Sequence, residues 1–189
     1  MSRARLEAEL AALAGFSSSP APAVTRLVYS PEDARARDYL RGLFAAEGLT
    51  LREDALGNAF ARWPGRDPRL AAVATGSHID AIPNAGRYDG TVGVLGALEA
   101  LRRLRAEGFA PARSLELVLF TSEEPTRFGI GCLGSRALAG QLGPDELGAL
   151  TDADGVTLEA ARRAAGFGGD LRSVRLPAGH YRAFVELHI

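Results

Sequence analysis

Cysteine, net charge and long apolar runs are all scarce in this chain, and each scarcity excludes a class of protein. The 189 residues include one cysteine, Cys132, which excludes a framework of internal disulfides. We interpret this cysteine as a small buried hydrophobe. No stretch reaches the ~18 consecutive apolar residues of a membrane helix, and a formal net charge of -1 provides no basic surface for nucleic acid or anionic lipid. We therefore expect a cytoplasmic protein with a small-molecule partner, and no binding to nucleic acid or membranes.

Apolar residues make up 47% of the sequence, enough for a substantial core, and helical and strand-like periods alternate along it. This alternation predicts an α/β fold. The predicted helices cover residues 3–13, 30–47, 91–107, 133–139 and 158–165. The predicted strands cover residues 49–53, 58–63, 70–75, 115–120 and 181–189, and the continuous apolar run at 70–75 is typical of a buried central strand.

Imidazole and carboxylate groups follow the predicted strands. The side chains concerned are His78, Asp80, Asp89, Glu123, Glu124 and His188. Ligands of open α/β sheets collect at the carboxyl ends of strands, and most of these side chains lie at or just past such an end. A set of imidazoles and carboxylates without thiolates is typical of a hydrolytic zinc or manganese site rather than a structural zinc site. The sequence therefore predicts a metal-dependent catalytic centre.

Each of these residues also has an ordinary interpretation. His78 alone at a strand end is more often a hydrogen-bonded polar residue than a ligand, and Asp89 before a glycine is typical of a turn. The Glu123–Glu124 pair could be solvated, although it directly follows an apolar strand. His188 could lie on an ordinary sheet face, and His180, in a predicted loop, is interpreted as a surface residue. It is their combination that favours a common site.

Four segments carry recognisable strings: GSHID at 76–80, GRYDGTVGV at 86–94, FTSEEPTRF at 120–128 and ELHI at 186–189. Together they resemble the M20 metallohydrolase clan, and more narrowly its amidase and carbamoylase branch. That branch comprises N-carbamoyl-L-amino-acid hydrolases, allantoate amidohydrolases and ureidoglycolate amidohydrolases. The resemblance extends over nearly the whole chain. It implies a zinc-exopeptidase-like catalytic domain with a mixed, mostly parallel central sheet flanked by helices.

The resemblance also implies a role for each candidate residue. His78 and His188 would bind one metal ion, Asp89 would bridge two ions, and Glu124 would bind the second. Glu123 would be the general base, and Asp80 would orient the imidazole of His78. The implied cofactors are two divalent ions, zinc or manganese. The division is chemically sensible because bound cations acidify water and a free carboxylate can move its proton.

The implied function is a binuclear metal-dependent amidohydrolase that cleaves C–N bonds of linear ureido or amide compounds, such as ureidoglycolate, allantoate or an N-carbamoyl amino acid. In the family the pattern continues with a dimerisation domain and the rest of the catalytic domain. Residues 1–189 are accordingly expected to be the N-terminal part of that domain, inactive alone, from a homodimeric protein. Two alternatives are an inactive remnant and an M20-type metallopeptidase; the intact SEEPTRF segment favours the amidohydrolase.

Overall fold

The computed structural model describes residues 2–189, which form an α/β fold with two sheets. The helices are α1 (Arg3–Ala14), α2 (Pro31–Ala46), α3 (Thr91–Ala106), α4 (Leu133–Leu138), α5 (Pro144–Gly148) and α6 (Leu158–Ala164), with a 3₁₀ turn at Leu171–Ser173. The strands are β1 (Val24–Arg26), β2 (Thr50–Glu53), β3 (Ala59–Trp63), β4 (Ala72–His78), β5 (Ala81–Ala85), β6 (Leu115–Phe120) and β7 (Tyr181–Val185). No helix within residues 2–189 is long and apolar enough to cross a membrane.

The main sheet has five strands in the order β2-β3-β6-β4-β7. β4 runs parallel to both of its neighbours, whereas β2–β3 and β3–β6 are antiparallel. The mixed sheet flanked by helices is confirmed, with a smaller parallel share than expected: two of its four strand pairs. The predicted central strand is β4, and its C-terminal residue His78 lies opposite Phe120 at the end of β6. The carboxyl ends of β4 and β6 thus meet at one edge.

Each face of this sheet carries its own apolar core, because alternate residues of a strand point to opposite faces. On β6, Leu117 and Leu119 belong to one core and Val118 belongs to the other. The first core contains buried side chains of α1, α2 and α3, and the second contains those of α4 and α6. Covering both faces explains why the central strands read as continuous apolar runs.

A buried ion pair connects α2 to the loop that follows β6. Ser30 caps the helix by accepting a hydrogen bond from the Asp33 amide at 3.2 Å, as its Ser-Pro start predicts. Asp33 then pairs with Arg37 at 3.0 Å, with both side chains almost fully buried. The guanidinium of Arg37 also donates to the Gly57 carbonyl at 2.7 Å and to Thr121 Oγ1 at 3.2 Å. Arg37 therefore fixes the start of the segment that carries the two glutamates.

Several sequence-based expectations need correction. Cys132 is exposed rather than buried, because it begins α4 in a left-handed conformation with φ of 57°. His180 is half-buried, with Nε2 shielded from solvent, and its ring packs against Tyr181. The last strand ends at Val185, so His188 lies in an irregular segment. The β1–β5 sheet and the five-residue α5 were not predicted, because elements this short carry little periodicity.

Candidate metal centre

Three of the predicted ligands form a compact group. One ligand atom of each of His78, Asp89 and His188 lies within 4.8 Å of the others. His78 ends β4, Asp89 immediately precedes the N-terminal turn of α3, and His188 follows β7. The two imidazole rings are stacked with centroids 5.3 Å apart, and His78 Nε2 is 3.5 Å from Asp89 Oδ1. Residues distant in sequence thus lie together at the carboxyl edge of the parallel strands.

The imidazole of His78 has one nitrogen engaged and one free. Its Nδ1 lies 3.0 Å from the backbone carbonyl oxygen of Asp80, which can only accept, so Nδ1 carries the hydrogen. Its Nε2 is buried and has no hydrogen-bond partner within residues 2–189. A buried ring nitrogen without a partner costs free energy. A cation bound at Nε2 would satisfy this nitrogen. The hydrogen bond from Nδ1 to a backbone carbonyl is typical of metal-ligating histidines.

Electrostatics at this edge favour positive charge. Burial lowers the pKa of His78, but a hydrogen bond and the charge of Asp80, together with Glu123, raise it to about 9. Burial also raises the pKa of Glu124 to about 7, and the nearby carboxylates of Asp89 and Glu123 act in the same direction. The cause that raises both pKa values is the negative charge of several neighbouring acids. A divalent cation among them would relieve that repulsion.

The two glutamates occupy different positions. Glu123 Oε2 lies 3.7 Å from His78 Nε2, beside the compact group. Glu124 is close enough to Asp89 for their charges to interact, but among residues 2–189 it is not a member of the compact three-residue group. Of the four predicted metal ligands, three therefore lie close together, and the fourth, Glu124, lies outside this group.

Asp80 connects the ends of β4 and β6 through its carboxylate. Oδ1 accepts a hydrogen bond from the Glu123 amide at 3.1 Å, and Oδ2 accepts one from the Glu124 amide at 2.9 Å. The carboxylate is 3.5 Å from His78 Nδ1, farther than the Asp80 carbonyl oxygen. The backbone carbonyl of Asp80, more than its carboxylate, therefore orients the His78 ring. The carboxylate of Asp80 holds the backbone of the two glutamates.

Two further contacts shape the site and were not predicted. The Cys132 thiol donates a hydrogen bond to Glu123 Oε1 at 3.3 Å, and Asn58 Oδ1 accepts from the Thr121 amide at 2.9 Å. Asn58 is far from the glutamates in sequence, and Cys132 has a left-handed backbone conformation. The one available signal was the position of Asn58 at the start of a strand, next to Gly57.

Comparisons with known proteins identify the family of this chain. The model of a protein family described as Peptidase family M28 matches residues 58–167, which include His78, Asp89, Glu123 and Glu124. The chain belongs to peptidase family M28. The sequence analysis expected the M20 clan and, within it, the amidase and carbamoylase branch. The family model that matches is that of M28. The relatives of the chain confirm the amidase and carbamoylase branch.

Those relatives are hydrolases, amidohydrolases or amidases by name. A ureidoglycolate hydrolase of Arabidopsis thaliana is 55% identical over 97% of this chain and 40% of its own length. An N-carbamoyl-L-amino-acid amidohydrolase of Paenarthrobacter aurescens is 45% identical over 98% of the chain and 45% of its length. A solved hydantoinase/carbamoylase family amidase from Burkholderia ambifaria superposes with a TM-score of 0.90 at 41% identity, over 98% of this chain and 45% of that one. This M28 chain spans less than half the length of each.

Proposed function

We propose that this chain forms part of the active site of a divalent-metal-dependent amidohydrolase that cleaves C–N bonds in linear ureido compounds. The observation that carries the proposal is the buried, unpartnered Nε2 of His78, which faces Asp89, His188 and Glu123. A bound cation would satisfy this nitrogen and would neutralise the carboxylates beside it. The donor set of imidazoles and carboxylates suits zinc or manganese.

We further propose two divalent ions. His78, His188 and Asp89 would hold one of them, and Glu124 together with Asp89 would hold the other. The interaction of the Glu124 and Asp89 charges supports this arrangement. Bound divalent ions would polarise a carbonyl group and lower the pKa of water.

Glu123 is the proposed general base. Its carboxylate is half-exposed, lies beside the compact ligand group and carries a hydrogen bond from Cys132 on Oε1. Oε2 would take a proton from the attacking water and deliver it to the leaving nitrogen. The Asp80 carboxylate holds the backbone of both glutamates, so it fixes where this proton transfer takes place.

The substrate class follows from the named relatives and remains part of the proposal. The relatives act, by name, on ureidoglycolate and on N-carbamoyl-L-amino acids, and allantoate has the same linear ureido chemistry. The partner would be such a small molecule, bound at the carboxyl edge of the sheet, in a homodimeric cytoplasmic protein.

Metal binding by this chain tests the first part of the proposal. Zinc and manganese affinities would be measured by competition with a chromophoric chelator for the unmodified chain, His78→Ala and Asp89→Asn. We expect both variants to lose most of the affinity and His180→Ala, the matched control outside the group, to retain it. Equal affinity in all four proteins would contradict the assignment.

Substrate cleavage tests the second part, in a protein that contains this sequence at the full length of its relatives. Ammonia release would be followed with ureidoglycolate, allantoate and an N-carbamoyl amino acid, and a dipeptide would report peptidase activity. We expect metal-dependent turnover of a ureido compound. Turnover of the dipeptide alone would favour a metallopeptidase instead.

A further inference from the structure

The segment that carries His188 is irregular and exposed, yet its imidazole is placed beside His78. The strand β7 ends at Val185, and the side chains of Leu187 and Ile189 are 54% and 69% exposed. Strand pairing therefore does not extend to His188. Some other contact must determine where its ring lies.

That contact is with the first turns of α3, on a face without side chains. A methyl group built on Gly93 would lie 2.3 Å from the carbonyl oxygen of Leu187 and 2.7 Å from Ser77 Cβ. One built on Gly96 would lie 3.4 Å from Leu187 Cδ2, an ordinary contact with the end of a flexible side chain. The backbone of Leu187 thus packs directly on the helix surface at Gly93.

Gly93 and Gly96 are three residues apart within α3 and lie on one side of the helix, and Gly90 is the N-cap that precedes them, with φ of 60°. A methyl group on Gly90 would lie 2.5 Å from the His78 ring. His78 therefore packs against the N-cap glycine, and Leu187 packs against the two glycines inside the helix. His78 and Leu187 lie near one another because both pack against the N-terminal end of α3.

We propose that Gly93 is a positioning residue for His188. The absence of a side chain at Gly93 lets the Leu187 backbone reach α3, and this places the His188 ring against His78. A β-carbon at this position would push the Leu187 carbonyl outward by more than an ångström to restore ordinary contact, and His188 would leave the group. The functional meaning of the inference rests on the proposed metal site, but the placement of the ring does not.

Histidine-selective NMR of the metal-free protein tests the placement directly. The chain contains three histidines, so the ring signals can be assigned by single substitutions. We expect a nuclear Overhauser cross-peak between the rings of His78 and His188 in the unmodified protein and in Gly96→Ala. We expect its loss in Gly93→Ala. A cross-peak of unchanged intensity in Gly93→Ala would overturn the proposal, whatever the metal affinity.

Zinc affinity provides the second measurement and separates positioning from general destabilisation. Gly93→Ala should weaken zinc binding by about 10–100-fold, the usual effect of losing a supporting contact in a metal site. His188→Ala should weaken it comparably, and the double variant should be no weaker than His188→Ala. Additive losses would show that Gly93 acts on the site by a route other than His188. If the unmodified chain binds no zinc, the proposed metal site fails while the NMR result still decides the inference.

The proximity of Gly93 to Ser77 means that Gly93→Ala could also disturb β4. Circular dichroism would detect unfolding of the variant. Leu187→Ala then decides the question, because it removes the side chain that covers Gly96 but keeps the backbone carbonyl that packs on Gly93. We expect an unchanged His78–His188 cross-peak in Leu187→Ala, and loss of the cross-peak in this folded variant would assign the placement to the Leu187 side chain and overturn the proposal.

Discussion

At the residue scale, the central feature is a histidine with one nitrogen committed to a backbone carbonyl and the other left to a cluster of acceptors. Nδ1 of His78 is committed to Asp80, and Nε2 faces Asp89 and Glu123. The backbone therefore selects the tautomer that a metal ion requires. The neighbouring glutamates differ in their distance from this nitrogen, which suggests different roles.

Substituting the two glutamates separately should distinguish base from ligand. Glu123→Gln should retain metal and lose about 100-fold or more in turnover, the usual contribution of general-base catalysis. Glu124→Gln should lose metal instead, because an amide oxygen replaces an anionic ligand. Chelator competition on this chain measures the metal affinity. Turnover is measured in a protein that contains this sequence at the full length of its relatives. If Glu123→Gln emptied the site and Glu124→Gln did not, the roles would be exchanged.

The Asp80 carboxylate should contribute to stability as well as to the site. Asp80→Asn replaces one acceptor oxygen by an amide group that faces a backbone N–H, so one buried hydrogen bond is lost. We expect the free energy of unfolding to fall by about 1–3 kcal/mol. Urea denaturation would measure it. Asp67→Asn, whose carboxylate pairs with Arg69 at the surface, should change stability little; a similar loss there would remove the special role of Asp80.

At the element scale, the buried Asp33–Arg37 pair connects α2 with the loop after β6. Arg37→Met keeps most of the side-chain volume but leaves the Asp33 carboxylate buried without its partner. Breaking such a pair costs about 3–5 kcal/mol. Thermal and urea unfolding would show the loss, and Asp33→Asn combined with Arg37→Met should recover part of it. Arg103→Met removes an exposed pair with Glu107 and serves as the control; equal losses would contradict the prediction.

The sequence predicted the elements in which a periodic apolar pattern extends over many residues and the strands that are apolar throughout. Strands β4 and β6 were found because apolar residues follow one another, and α2 was found through its serine cap and proline. The short pair β1 and β5 was missed, since three to five residues with a proline carry no clear period. Their formation depends on tertiary contacts that the local sequence does not encode.

The candidate site residues were predictable because strand ends and motif strings coincide at His78, Glu123 and Glu124. Their supporting contacts were not. The exposed position of Cys132 follows from a left-handed backbone turn, and the contact of Leu187 with Gly93 joins segments 94 residues apart. Such contacts become visible only when the chain is folded, whereas a ligand's chemical type is visible in the sequence itself.

At the scale of the whole molecule, β7 is an outer strand of the sheet within residues 2–189, and it is the least covered strand. Phe184 and Val185 are 39% and 65% exposed, and the apolar residues Leu187 and Ile189 follow. Unpaired strand edges with apolar side chains promote association. We expect this chain to self-associate at high concentration.

A charge on the strand should reduce that association. Val185→Lys places an ammonium group on the exposed edge, and sedimentation velocity should show a larger monomer fraction than in the unmodified chain. Val156→Lys, at an exposed valine in the loop between α5 and α6, is the matched control. Equal monomer fractions in both variants would show that β7 is not the associating surface.

The central claim is that His78, Asp89 and His188 bind a metal ion together. A crystal of this chain grown with zinc and measured on both sides of the zinc absorption edge would test it directly. We predict an anomalous peak about 2.0–2.2 Å from His78 Nε2, an Asp89 carboxylate oxygen and a His188 ring nitrogen. Zinc bound at His180 alone, or no peak beside His78 in a crystal with zinc at saturating concentration, would contradict the account.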